Sequence, residues 1–218
     1  MSTKNKNKRR QNHIIRENME VRKDQPNLKD QPNLWRRFIA YLIDWFFGMM
    51  FAAFPVVMLV GIASGTTEIL DDLLLIPYPL NYIGGALALI FSFVYYVVFP
   101  WKIWKGQTIG KRMMGMEIVR TSGKQVDLRT LIVRQVLGVF LIEGILITAS
   151  SYLWEMLALM TGEIRVMQYL YYIGLGLTIV STLLVIFTKN NQAIHDHMGK
   201  TMVIMKKDNI VPNIRKRI

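Results

Sequence analysis

Residues 38–62 hold one charged side chain, Asp44, in an otherwise uncharged and strongly apolar run. As a helix that run reaches about 37 Å, against a hydrocarbon core of about 30 Å. It is predicted to cross a bilayer, and the carboxylate inside it is the costly part. Counted from Phe38 by helical rise, Asp44 lies about 9 Å into the hydrocarbon. Ionised there, it costs about 2.5–3.5 kcal/mol on insertion scales. Arg37 shares its helical face, but almost two turns separate them, about 10 Å. The carboxylate therefore needs a shared partner, a water or a charge from another helix.

The other apolar residues are also gathered into long blocks, with the charges between them. In a chain of 218 residues that is 52% hydrophobic, this pattern is a polytopic membrane protein rather than a soluble domain. With no cysteine, disulfides, thiolate metal sites and cysteine nucleophiles are excluded. The polar first 30 residues lack the apolar core of a cleavable signal, so the first span is expected to direct insertion.

A formal charge of +12 raises the question of nucleic acid, and the placement of the charge answers it. The Lys and Arg residues cluster in 1–37, 100–135 and 189–218, whereas 63–79 holds Glu68, Asp71 and Asp72 and no basic residue. By the positive-inside rule both termini and the middle loop are cytoplasmic, in a multi-pass protein of the cell (inner) membrane. The expected partner is a bilayer with anionic headgroups, not nucleic acid.

Along the chain, residues 1–33 read as a disordered basic cytoplasmic tail containing a short tandem duplication, 24–29 and 30–34, and 206–218 as a second basic tail. Four spans are expected, at about 35–62, 80–99, 136–159 and 169–188. Pro55 is expected to kink the first, and Gly84 and Gly85 to let the second approach a neighbour closely. Residues 66–79 suit an outer interfacial segment. Tyr95, Tyr96, Trp101 and Trp104 read as an aromatic belt, and Arg129 and Arg134 as headgroup contacts. Residues 116–120 and 201–205 read as strands that pair beneath the helices, and Asp127 as an N-cap. The fold class is all-α transmembrane: a four-helix polytopic bundle with a small cytoplasmic β-element and disordered basic tails.

Several constellations could carry chemistry. Gly106-Gln107-Thr108-Ile109-Gly110-Lys111-Arg112 is one residue short of a phosphate-binding loop and lacks its Ser/Thr, so it reads as a tight basic turn at the membrane surface. His195-Asp196-His197 offers ligand types but no second cluster, so no metal is expected; His195 could instead relay protons. Asp44 and Glu143 are the two acids deep in the bilayer. Each reads either as part of an ion or proton site or as a polar clamp that fixes helix geometry. Without a triad, a zinc-protease motif or a catalytic carboxylate pair, no enzyme and no cofactor are expected.

Three separated patches, in order, are similar to one family. Arg37-x-x-Ala40-x-x-x-Asp44, Gly106-Gln107-Thr108-x-Gly110-Lys111-Arg112-x-x-Gly115, and His195-Asp196 with Thr201 and Val203 resemble the RDD family of bacterial and archaeal membrane proteins. The resemblance covers about 34–205, and it implies that Arg37, Asp44 and Asp196 are the arginine and two aspartates for which the family is named. The chain departs at Lys200, where the family often has a small residue before the threonine. The resemblance further implies transport of ligands that are mostly unknown, with some members like sodium/proton antiporters.

The expected function is therefore transport-related, exchanging a monovalent cation for protons at Asp44, with Arg37 and Asp196 gating it and Glu143 and His195 nearby. Four helices are few for a complete pathway, so that reading expects a homo-oligomer. The alternative is a non-transporting scaffold or assembly factor whose Arg/Asp cluster is structural.

Overall fold

A computed structural model describes residues 30–65 and 70–206. Of the basic tails expected at 1–33 and 206–218, residues 1–29 and 207–218 lie outside the described residues, as does Glu68. The first helix, α1 (Leu34–Ser64), starts where the Asn33 side chain accepts a hydrogen bond from the Trp35 amide. It carries Pro55 inside it and ends at Gly65, whose φ of 65° supplies the left-handed turn that lets its N–H reach the Gly61 carbonyl.

Beyond the C-terminal end of α1, Leu73 and Ile76 are buried against Ala52, Val56, Val60 and Ala88. The acidic stretch thus plugs one end of the bundle with its apolar side chains. Next, α2 (Leu80–Phe93) continues without interruption as a π-helical stretch, Val94–Ile103. Gly84 faces Val56 of α1, and Gly85 faces a later helix, where a Cβ would stand 2.6 Å from the Met156 sulfur. The close approach expected of the glycine pair is therefore present. Tyr95 and Tyr96 depart from expectation. They are buried and turned onto α1, not placed in an aromatic belt.

A short helix, α3 (Ile109–Met113), and strand β1 (Met116–Arg120) follow. β1 pairs antiparallel with β2 (Thr201–Met205), in the register Met116↔Met205 to Arg120↔Thr201. The expected pairing is what forms. Four of five residues in β2 are buried, so the small sheet closes one end of a core with Ala40, Val97 and Leu131.

Asp127 caps α4 (Leu128–Leu131) through its carboxylate, which accepts from the Thr130 amide at 2.9 Å. Arg120 also reaches Asp127, at 2.8 Å. Asp127→Ala is expected to cost about 1 kcal/mol through the lost cap, seen as a small fall in thermal midpoint in detergent; an unchanged midpoint would count against the cap. From α4 the chain runs on as a π-helical stretch, Ile132–Ile142.

The expected continuous span at 136–159 does not form. The helix stops at Glu143, makes one 3₁₀ turn (Gly144–Leu146), passes through extended Ile147, and restarts as α5 (Thr148–Thr161). The Glu143 carboxylate is drawn to the amide and ring of His195, and its carbonyl accepts from Thr178. Those outside partners compete with the helical ladder.

After Gly162 comes α6 (Ile164–Phe187), then α7 (Ile194–Gly199), which folds back so that the Ile194 amide bonds the Ser181 hydroxyl of α6. Lys200 ends α7 at φ 50°, a left-handed position that a small residue would adopt at lower cost. Among the described residues, three helices are long and apolar enough to cross a membrane: Leu34–Ser64, Leu80–Ile103 and Ile164–Phe187. The broken 128–161 segment stands where the third of the four expected spans was placed.

Candidate functional site

Two separate carboxylate clusters occupy the interior, where the sequence suggested one. The first surrounds Asp44, which is 4% exposed. Its Oδ1 accepts from the Tyr95 hydroxyl and the Gly110 amide, both at 2.8 Å. Its Oδ2 accepts from the Thr108 hydroxyl at 2.6 Å and from Lys111 Nζ at 2.9 Å. Gly110 is the second residue of α3, so a carboxylate from α1 sits at that helix's start, where free amides and the helix dipole favour negative charge. Tyr96 adds a bond from its hydroxyl to the Asp44 carbonyl at 3.0 Å. The partner of Asp44 is Lys111, not Arg37.

The loop motif is thereby accounted for residue by residue. Gly106 takes φ 79° and brings its backbone against β1, the Ile118 amide bonding its carbonyl at 2.7 Å. The Gln107 side chain donates to the Met116 carbonyl at 2.7 Å. Thr108, Gly110 and Lys111 hold Asp44. Arg112 lies over the Trp104 ring, 4.9 Å from its centre. Gly115, at φ 66°, makes the turn into β1. A basic surface turn was expected; the structure shows a dock for α1.

The second cluster surrounds Asp196, which is fully buried. Arg134 approaches Oδ1 through Nε at 3.1 Å and Nη2 at 2.8 Å. Thr201 donates to the same oxygen at 3.1 Å, while Arg37 Nη2, at 3.4 Å, and the Ala193 amide, at 3.3 Å, address Oδ2. Arg37 also donates to the Asn191 carbonyl. Burial disfavours the charged carboxylate, but Arg134, His195 and Arg37 outweigh it and hold the Asp196 carboxyl well below the usual carboxylate range.

Arg134 corrects the earlier reading of a headgroup contact: at 2% exposure it is the main cation of this cluster, whereas Arg129 is exposed. The available signal was the polar pair Arg134-Gln135 inside an apolar helix, both of whose members are buried.

Glu143 joins neither aspartate directly. Its Oε1 accepts from the His195 amide at 2.6 Å, and its Oε2 lies 2.8 Å from His195 Nδ1. The other ring nitrogen of His195 is 3.7 Å from Asp196 Oδ2. His195 thus stands between Glu143 and Asp196, and Gly138 makes room for it, since a Cβ there would fall 2.6 Å from the His195 Cβ. His197 points elsewhere, to the Ala193 carbonyl at 2.9 Å.

Apolar helices of spanning length, with ion pairs buried among them, define an integral, multi-pass membrane protein. The chain belongs to the RDD family, whose model matches residues 31–200. Neither a curated protein nor a solved structure matches it.

Proposed function

We propose that this is a transport-related protein of the cell membrane, with both termini cytoplasmic, whose ligand occupies a chamber beside the broken helix. The chamber measures about 690 Å³ and lies between α1, the 132–142 stretch and α6. Tyr41, Gln135, Glu143, Thr178 and His195 are among its lining residues. The break at Glu143 carries the reading. Thr178 bonds the Glu143 carbonyl at 2.6 Å and lies about 13 Å from the end of α6 by helical rise. Non-helical backbone at that depth is tolerated where it lines a cavity, and half-helix junctions are where membrane carriers place ion and substrate sites. The buried Tyr41 hydroxyl, with no hydrogen-bond partner among the described residues, supplies a spare polar group on the same wall.

The exchanging carboxylate is Glu143 rather than Asp44. Every oxygen of Asp44 is already met by a donor, one of them cationic. Glu143 is held by the amide and ring of a single residue, His195, and lines the chamber. A monovalent cation and a proton compete for the Glu143 oxygens, so that binding one releases the other. The proposed role is movement of an ion rather than chemistry on a substrate. α6 buries only Gly174 and Ser181 and leaves the rest of its face to lipid or to a second copy, which would complete a pathway.

In proteoliposomes, the wild type is expected to couple an alkali-cation gradient to a pH change, and Glu143→Gln to lower that rate at least tenfold while keeping the thermal midpoint. Undiminished flux in the variant would remove Glu143 from the mechanism. The second reading, a non-transporting scaffold, is favoured by the complete satisfaction of both aspartates; absence of flux from the wild type with every alkali cation would select it.

A further inference from the structure

A second cavity, of about 320 Å³, lies away from both aspartates, where the apolar α2 and its π-helical continuation end. Lys102, Lys105, Arg112 and Lys206 line it, together with Trp104, Gln107 and a lone carboxylate, Glu117. All four cations are exposed, and none forms a salt bridge among the described residues. Burial pushes the Glu117 carboxyl up and Lys206 opposes it, and this one acid faces four cations. The remaining field is strongly positive.

The site is also shaped. The Arg112 guanidinium is stacked on Trp104, and Lys102 lies 4.8 Å from the centre of the Trp101 ring. Gln107 is buried, and its amide is spent on the Met116 carbonyl, which leaves its oxygen to steady Lys206 at 3.4 Å. Ile103, half exposed, is an apolar neighbour on the same rim. Tryptophan, isoleucine and lysine together at the end of a spanning helix are the chemistry of the headgroup layer, where apolar chain and anionic phosphate meet.

We propose that this pocket binds the phosphate headgroup of an anionic phospholipid, with Lys102, Lys105, Arg112 and Lys206 around the phosphate and Trp104 at the glycerol level. The bilayer is the source of the ligand because the apolar rim continues into α2.

The test uses the full-length protein in nanodiscs of phosphatidylcholine with or without one-fifth phosphatidylglycerol, with native mass spectrometry counting retained lipids. The triple variant Lys102→Gln/Lys105→Gln/Lys206→Gln leaves the basic N-terminal tail intact and so isolates the pocket. The wild type is expected to retain phosphatidylglycerol in preference to phosphatidylcholine, with binding roughly fivefold weaker for each lysine removed. The single variant Lys105→Gln, expected to show one such step, serves if the triple variant fails to fold. Equal phosphatidylglycerol retention by wild type and variant would overturn the proposal. Inorganic phosphate that displaces the retained lipid at millimolar concentration would overturn the lipid assignment in favour of a soluble phosphate.

Discussion

Asp196→Ala is expected to remove about 3–5 kcal/mol of stability, the range for breaking a buried ion pair from one side. Arg134, 2% exposed, loses its carboxylate and keeps Thr201 as a neutral partner. Thr201, Arg37 and the Ala193 amide lose their acceptor at the same time. The folded fraction recovered in detergent should fall sharply, measured by fluorescence size-exclusion chromatography against temperature. Arg134→Met combined with Asp196→Leu should recover much of the loss, because a well-packed apolar replacement of a buried pair is often neutral. A midpoint for Asp196→Ala equal to that of the wild type would show that the cluster is not a fastener.

The same carboxylate sets a pH expectation. Its folded pKa is depressed, so its contribution is complete above the ordinary carboxylate value and lost as pH falls through the folded one. From pH 8 down to about 5 it should be constant, with loss beginning only below about pH 4. A thermal midpoint followed across that range checks the sign.

Gly110→Ala is the other large effect. A Cβ at this position would stand 2.1 Å from the Ala40 carbonyl oxygen and 2.9 Å from the Asp44 carboxyl carbon. The first of these is backbone of α1 and cannot rotate away, so either α3 lifts off or α1 bends. Overpacking of this kind costs about 1–3 kcal/mol and sometimes more, and the lifted loop takes Lys111 and Thr108 away from Asp44. Gly176→Ala is the matched control, since nothing lies within 4 Å of a Cβ there. The thermal midpoint should drop for Gly110→Ala and hold for Gly176→Ala. Equal midpoints would mean that α3 is not seated on α1 as described.

Much of the architecture is local in origin and was therefore readable. Apolar runs of spanning length form helices wherever they meet lipid, since every backbone group must be satisfied within the segment. Asp127 caps as expected, and 116–120 and 201–205 have the apolar side chains and length of a short strand pair. The broken segment was less readable. Nothing local in Glu143-Gly144-Ile145 forbids a helix; the interruption needs His195 and Thr178, both far along the chain. The aromatic assignment failed for a related reason. Tyr95 and Tyr96 resemble interfacial residues by their place near a helix end, yet Asp44 on α1 supplies the acceptors that water would otherwise provide, its carboxylate for Tyr95 and its backbone carbonyl for Tyr96.

By itself the sequence determined the class of protein and the need of Asp44 for a partner, because hydrophobic length and the cost of a buried charge depend on composition and order alone. The identity of the partner was a tertiary matter. Arg37 precedes Asp44 by seven residues and still pairs with Asp196, while Asp44 takes Lys111 from a loop two helices on. An ion pair goes to whichever cation packing brings within about 3 Å with its remaining donors satisfied, and sequence proximity does not set that distance. Only the fold could divide one apparent charge cluster into two fasteners and leave Glu143, at the helix break, facing the chamber.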